Sequence, residues 1–123
     1  MADQKKALHP AHTVSNIKTH IPITLEMEKG LYSTWAELFK VLARSFRVVD
    51  HIIPPKAAST AKDPNFDQEE WDDVDATVLT WIYSTISLDL LHTIIAPDQS
   101  AMDAWNRLPD IFQDKKNTRV VYL

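Results

Sequence analysis

The sequence predicts a mainly α protein: a small bundle of four to five helices with a short extended N-terminal arm. Three observations predict it. Trp35, Trp71, Trp81 and Trp105 each lie on an apolar stripe of helical period. Capping patterns recur ahead of those stripes, at Thr34/Glu37, Asp67/Glu70 and Ser100/Asp103. By contrast, Ile17, Ile21, Ile23 and Leu25 fall on odd positions, which is strand period, and Pro22 in that run demotes it to an edge strand or an arm packed on the bundle.

Length and composition bound the rest. A chain of 123 residues has room for one domain. Residues 1–15 read as a flexible N-terminal tail and 16–123 as the helical domain. With 45% hydrophobic and 24% charged residues, a core forms without metal or crosslinks. The chain has no cysteine, so it has no disulfide, thiol nucleophile or thiolate metal site. Thirteen basic and 17 acidic residues leave a net charge of −4, which repels a polyanion on average.

Met1–His12 lacks the apolar stretch of a signal peptide. Polar residues, Asp89 and His92 among them, break the apolar region 78–95 well short of the about 20 apolar residues that a membrane span needs. No membrane partner is expected, and a cytoplasmic address fits, with nuclear entry left open.

The elements follow in order. Gly30, the one glycine, marks the turn out of the arm. A helix over Thr34–Val48 has Ser33 as a rival cap, a face of Trp35, Leu38, Phe39, Leu42 and Phe46, and Lys40, Arg44 and Arg47 toward its end. Pro54 and Pro55 stop any continuation, and Lys56–Phe66 reads as a mobile loop. The longest helix starts at Asp67 and turns Trp71, Val74, Val78, Trp81, Ile82 and Ile86 to the core. Ser87 caps a shorter helix that carries Leu88, Leu90, Leu91, Ile94 and Ile95 and ends before Pro97. Ser100 opens the last helix, with Met102, Trp105, Leu108 and Phe112. Pro109 predicts a kink or a split there. Arg119–Leu123 reads as the start of another element.

No catalytic, cofactor-binding or metal residue is expected. His9 and His12 have a spacing that zinc ligands use, but they sit in a tail with no carboxylate or cysteine close by in sequence. His92 reads as a packed or capping histidine. Asp67, Glu69, Glu70, Asp72, Asp73 and Asp75 lack the glycine of a calcium loop and fit the acidic first turns of a helix. One glycine excludes a Gly-x-Ser-x-Gly elbow, a P-loop and a Rossmann fingerprint. The residues singled out are therefore structural core anchors: Trp35, Phe39, Trp71, Trp81, Trp105 and Phe112.

Two stretches carry more than helical pattern. One runs Asn16-Ile-Lys-Thr-His-Ile-Pro-Ile-Thr-Leu-Glu, followed by Tyr32-Ser-Thr-Trp35-Ala-Glu-Leu-Phe39. The other comprises Trp81-Ile-Tyr-Ser-Thr-Ile-Ser, Ser100-Ala-Met-Asp-Ala-Trp105 and Phe112-Gln-Asp-Lys-Lys-Asn-Thr-Arg119-Val-Val-Tyr-Leu. In order and spacing, from about Asn16 to Leu123, they resemble the N-terminal gag region of plant copia-type long-terminal-repeat retrotransposons.

The resemblance implies a fold like a capsid N-terminal domain and a structural protein that associates with itself or with another gag-like protein, without catalysis or cofactor. The family's zinc knuckle needs cysteine, which this chain lacks, so nucleic-acid binding is expected to be weak or absent. Pro109 departs from a helix that the family runs unbroken, and the second helical domain that normally follows is missing, so the chain reads as a truncated or orphan copy. The alternative is a monomeric, domesticated module that binds a peptide or partner protein in a groove.

Overall fold

The computed structural model describes residues 9–26, 31–54 and 67–121, with side chains through Phe112. The described residues form four α-helices: α1 (Tyr32–Ser45), α2 (Gln68–Ser84), α3 (Leu88–Ile94) and α4 (Ala101–Val121). Single 3₁₀ turns occur at Pro10–Thr13, Ile17–Thr19 and Val49–His51. The turn expected at Gly30 and the loop expected over Lys56–Phe66 lie outside the described residues.

The helix starts follow the capping chemistry at three of four places. Asp67 accepts from the amides of Glu69 and Glu70 at 3.1 and 3.2 Å, filling two of the donors that every helix N-terminus leaves open. Ser87 accepts from Leu90 N–H. Ser100 and Asp103 form a reciprocal capping box: Asp103 N–H donates to Ser100 Oγ at 3.0 Å and Ser100 N–H to Asp103 Oδ2 at 3.1 Å. Helix α1 differs. It begins at Tyr32, two residues before Thr34, and neither Thr34 nor Ser33 caps it; Leu31 precedes it without a side-chain bond. Packing explains the early start, because the Tyr32 ring stacks on Phe112 with centroids 5.2 Å apart and so draws its own residue into the first turn.

The end of α1 is set by backbone geometry. Arg47 stands at φ 61°, in the left-handed region that glycine normally fills. Arg47 N–H donates to Arg44 O at 3.1 Å and Val48 N–H to Ala43 O at 2.8 Å, the paired bonds of a Schellman motif. Val48 and Ala43 are both fully buried, so the reversal also delivers an apolar side chain to the core.

The arm packs on the bundle, but not as a strand. Ile17 lies in a 3₁₀ turn, and Ile17, Ile21 and Leu25 are buried. Ladder bonding is confined to one point, where Leu25 N–H donates to Thr85 O and Ser87 N–H donates to Leu25 O. Pro22 explains why pairing is not extended, since it has no amide to give. Packing also begins earlier than the expected tail boundary at residue 15. Ala11, in the turn Pro10–Thr13, is fully buried, and that turn lies against α2.

The core is aromatic on the α1–α4 side. Trp35 stacks on Trp105 with centroids 5.4 Å apart, and Phe39 meets both Trp105 and Trp81. With Tyr32 on Phe112, these contacts set α4 antiparallel to α1. Trp35, Phe39, Trp81 and Trp105 are buried as expected. Trp71 and Phe112 are half-buried instead: Trp71 lies at the margin, flat against His51, and Phe112 is held by Tyr32. Leu38 is also only half-buried, on the outer side of α1.

Pro109 does not split α4, which runs unbroken to Val121 and absorbs the element expected from Arg119. A proline removes one intrahelical bond, here to Trp105 O, while its φ suits a helix. Burial of Trp105 and Leu108, in the turn before Pro109, offsets that loss.

Arg47 yields a test. Arg47→Gly removes the steric cost of left-handed geometry and is expected to raise stability by about 1 kcal/mol, read as a higher denaturant midpoint at unchanged slope. A lower midpoint would show that the arginine side chain stabilises more than its backbone costs.

Candidate functional site

Three polar constellations and two apolar helix faces are the places where this fold concentrates chemistry. The first constellation is at the core. Trp35 Nε1–H donates to Thr85 Oγ1 at 3.0 Å, and the Thr85 hydroxyl donates to Trp81 O at 2.8 Å. Thr85 is fully buried, and its carbonyl accepts from Leu25 N–H. One residue at the α2–α3 corner thus joins the arm, α1 and α2, with its hydroxyl used in both directions.

The second constellation ties the turn after α1 to α2 and α4. His51, 5% exposed, lies flat on Trp71 with ring centroids 3.7 Å apart, and its Nδ1 is 2.9 Å from Asp75 Oδ1. Asp75 Oδ2 accepts from Ala101 N–H at 3.0 Å, so a carboxylate from α2 completes the N-terminus of α4. A histidine held by a carboxylate is half of a catalytic triad. Here the other carboxylate oxygen is engaged by a backbone amide, the imidazole face is covered by indole, and no hydroxyl among the described residues bonds to His51. The arrangement holds three elements together.

The third constellation lies where the N-terminal turn meets α2. His9 Nδ1 accepts from Ala11 N–H at 3.0 Å and so caps the 3₁₀ turn, while His12 Nδ1 is 3.4 Å from the Thr77 hydroxyl. Burial pushes the His9 pKa down; Glu70 opposes that, and His12, His51 and Arg47 add to it. Among the described residues no group of three or more His, Asp or Glu could hold a metal ion. His92, expected to pack or cap, is exposed in the last turn of α3.

Two grooves and two faces remain. A groove of about 340 Å³ between the arm and α2 is lined by Asn16, Lys18, Thr77, Thr80 and Ser84 with Trp81 beneath. Another, of about 420 Å³, follows α1 along Ser33, Thr34, Glu37, Leu38 and Val41. Neither borders His51. Val41 is 51% exposed, and on α3 Leu88 and Ile95 are 67% and 53% exposed. Helix α3 buries Leu90 and Ile94 and leaves Leu88, half-buried Leu91 and Ile95 on an adjoining side, about a third of a turn round, so its apolar surface continues past the core. Among the described residues, no helix is long and apolar enough to cross a membrane.

No family model, curated protein or solved structure matches this chain.

Thr85 and His51 were not singled out by the sequence analysis, and Asp75 was read only with the acids of the first helical turns, whereas it bonds His51 and the start of α4. Asp75 had a signal: it lies eight residues past the cap Asp67, too deep in the helix for the dipole to explain an acid there. Thr85 and His51 had none, since each acts through a partner 24 or more positions away.

The His9 cap makes stability pH-dependent in a definite direction. A histidine whose folded pKa lies below 6.5 favours folding while neutral, so the unfolded chain binds the extra proton and stability falls as pH drops below about 6.5. His9→Asn keeps a capping acceptor that cannot titrate. Melts between pH 7.5 and 5 are expected to show a smaller loss in the variant than in the parent, and equal losses would assign the pH dependence to other groups.

Proposed function

We propose that this chain is a non-enzymatic structural protein, a self-association module of a capsid-like assembly similar to copia-type retrotransposon gag. Its partner is a second copy or another gag-like protein, and it acts in the cytoplasm without a cofactor. The observation that carries the reading is the outward stripe of Leu88, half-buried Leu91 and Ile95 on a helix whose adjoining side already fills the core. A monomer gains nothing from that stripe, whereas an assembly of copies buries it.

The magnitudes favour a contact that is weak singly and strong in number. Burying a leucine or isoleucine completely is worth about 1.5–3 kcal/mol, against about 4–15 kcal/mol for the freedom lost on association. One stripe therefore gives a weak contact, and symmetry has to multiply it. The polar groups of the interior support the same reading: the Trp35–Thr85 and His51–Asp75 pairs are consumed in joining elements.

A second reading, a monomeric binding module for a peptide or partner helix, is favoured by the groove along Leu38 and Val41. Light scattering behind size exclusion, over a wide concentration range and two salt levels, separates the two. Self-association predicts mass that grows with concentration and persists in high salt, since apolar contacts are not screened. A strict monomer throughout would overturn it in favour of the binding module.

A further inference from the structure

We propose that the turn Pro10–Thr13 is a pH-released latch: when His9 takes up a proton, residues 9–14 leave α2 as a unit while the bundle stays folded. Such a latch works in a monomer and in an assembly alike.

The latch is closed by a bond that only a neutral histidine can make. A backbone N–H donates and never accepts, so the 3.0 Å bond from Ala11 N–H needs a bare lone pair on His9 Nδ1. A proton on that nitrogen turns the acceptor into a donor, and the turn loses its N-terminal cap. What the cap holds in place is Ala11, fully buried in a turn that lies against α2, with half-buried Val14 just behind it.

The turn's other bonds do little to keep it there. His12 N–H to His9 O at 2.9 Å, Val14 N–H to Ala11 O at 3.5 Å and Thr13 Oγ1 to Pro10 O at 2.6 Å all lie within the segment and travel with it. Its side-chain tie to α2 is the 3.4 Å pair of His12 Nδ1 and the Thr77 hydroxyl, whose proton also has Asp73 O to go to at 3.1 Å. Downstream, the arm is fastened separately. Ile17, Ile21 and Leu25 are buried, and Leu25 is bonded to Thr85 and Ser87. Ser15 and Asn16 lie between, both exposed, and release stops at them. It takes away the Val14 wall of the groove over Thr77 and Trp81.

The charges around His9 set the direction. They are Glu70 on α2, His12 in the same turn, His51 in the turn after α1 and Arg47 at the end of α1. Burial lowers the His9 pKa most; Glu70 opposes it, and the other three add to the lowering. Released, His9 returns toward its ordinary value of 6.5, so the closed form is fully favoured above that pH and weakens as pH falls below it. A protonated His12 can still donate to Thr77 Oγ1, so its contact survives the same change.

The test is the backbone ¹⁵N–{¹H} nuclear Overhauser effect on the full chain at pH 7.5 and pH 5, which reads fast motion residue by residue. At pH 7.5 Ala11, His12 and Val14 are expected to match the helices; at pH 5 they are expected to fall to the level of a mobile chain, while Leu25 and Val48 stay unchanged. His9→Asn and His9→Asp each keep an acceptor oxygen through pH 5 and are expected to hold the segment closed, whereas His12→Asn is expected to respond as the parent does. Unchanged values in the parent at pH 5 would overturn the latch, since nothing is released. So would the same fall in both His9 variants, or its loss in His12→Asn, because another group would then drive it. A fall that also takes in Leu25 and Val48 would overturn it too, as unfolding of the whole bundle.

Discussion

The hydrogen bond from the Trp35 indole to the Thr85 hydroxyl is the constraint on which the rest of the structure depends. Two polar groups sit at zero exposure inside an otherwise apolar core, where an unmet donor is costly. The indole satisfies itself only if α1 lies against the end of α2 in one register. That register sets Trp35 on Trp105 and Phe39 between Trp105 and Trp81. It also places the carbonyl of Thr85 where Leu25 can bond to it, so the arm is fastened at the same point. A hydrophobic contact would tolerate sliding; a buried donor with one acceptor does not.

The same economy bears on function. A chain with one glycine and no cysteine builds its interior from aliphatic side chains around four aromatic rings, and among the described residues each buried polar side chain finds a partner. His51 and Asp75 have the chemistry of a base and its orienting acid, but they are closed off by Trp71 and the start of α4. Among the described residues the exposed large apolar side chains are Val41 on α1, Ile53 after it, and Leu88 and Ile95 at the two ends of α3.

The fold class and three of the four helix starts were legible because they are local. Asp67, Ser87 and Ser100 each satisfy donors within three residues, so sequence spacing is enough to find them. The start of α1, the continuity of α4 through Pro109 and the half-burial of Trp71 were not legible, because each is decided by distant partners: Phe112 for Tyr32, the packed turns at Trp105 and Leu108 for Pro109, His51 for Trp71. The odd-position pattern of the arm suggested a strand for a related reason. Burial of every second or fourth residue looks alike over nine positions, and a single bridge at Leu25 with a 3₁₀ turn at Ile17 meets both descriptions. Thr85 and Asp75 read as ordinary polar residues in the sequence until the structure supplies their partners.

The most direct measurement is a double-mutant cycle on Trp35→Phe and Thr85→Val, read by denaturant unfolding. Thr85→Val alone leaves the indole N–H buried without an acceptor and is expected to cost about 1–3 kcal/mol. In the Trp35→Phe background that N–H is gone, so the same substitution should cost less, with a coupling of about 1 kcal/mol. Equal costs in the two backgrounds would mean that the bond fixes nothing and that apolar packing alone sets the register of the bundle.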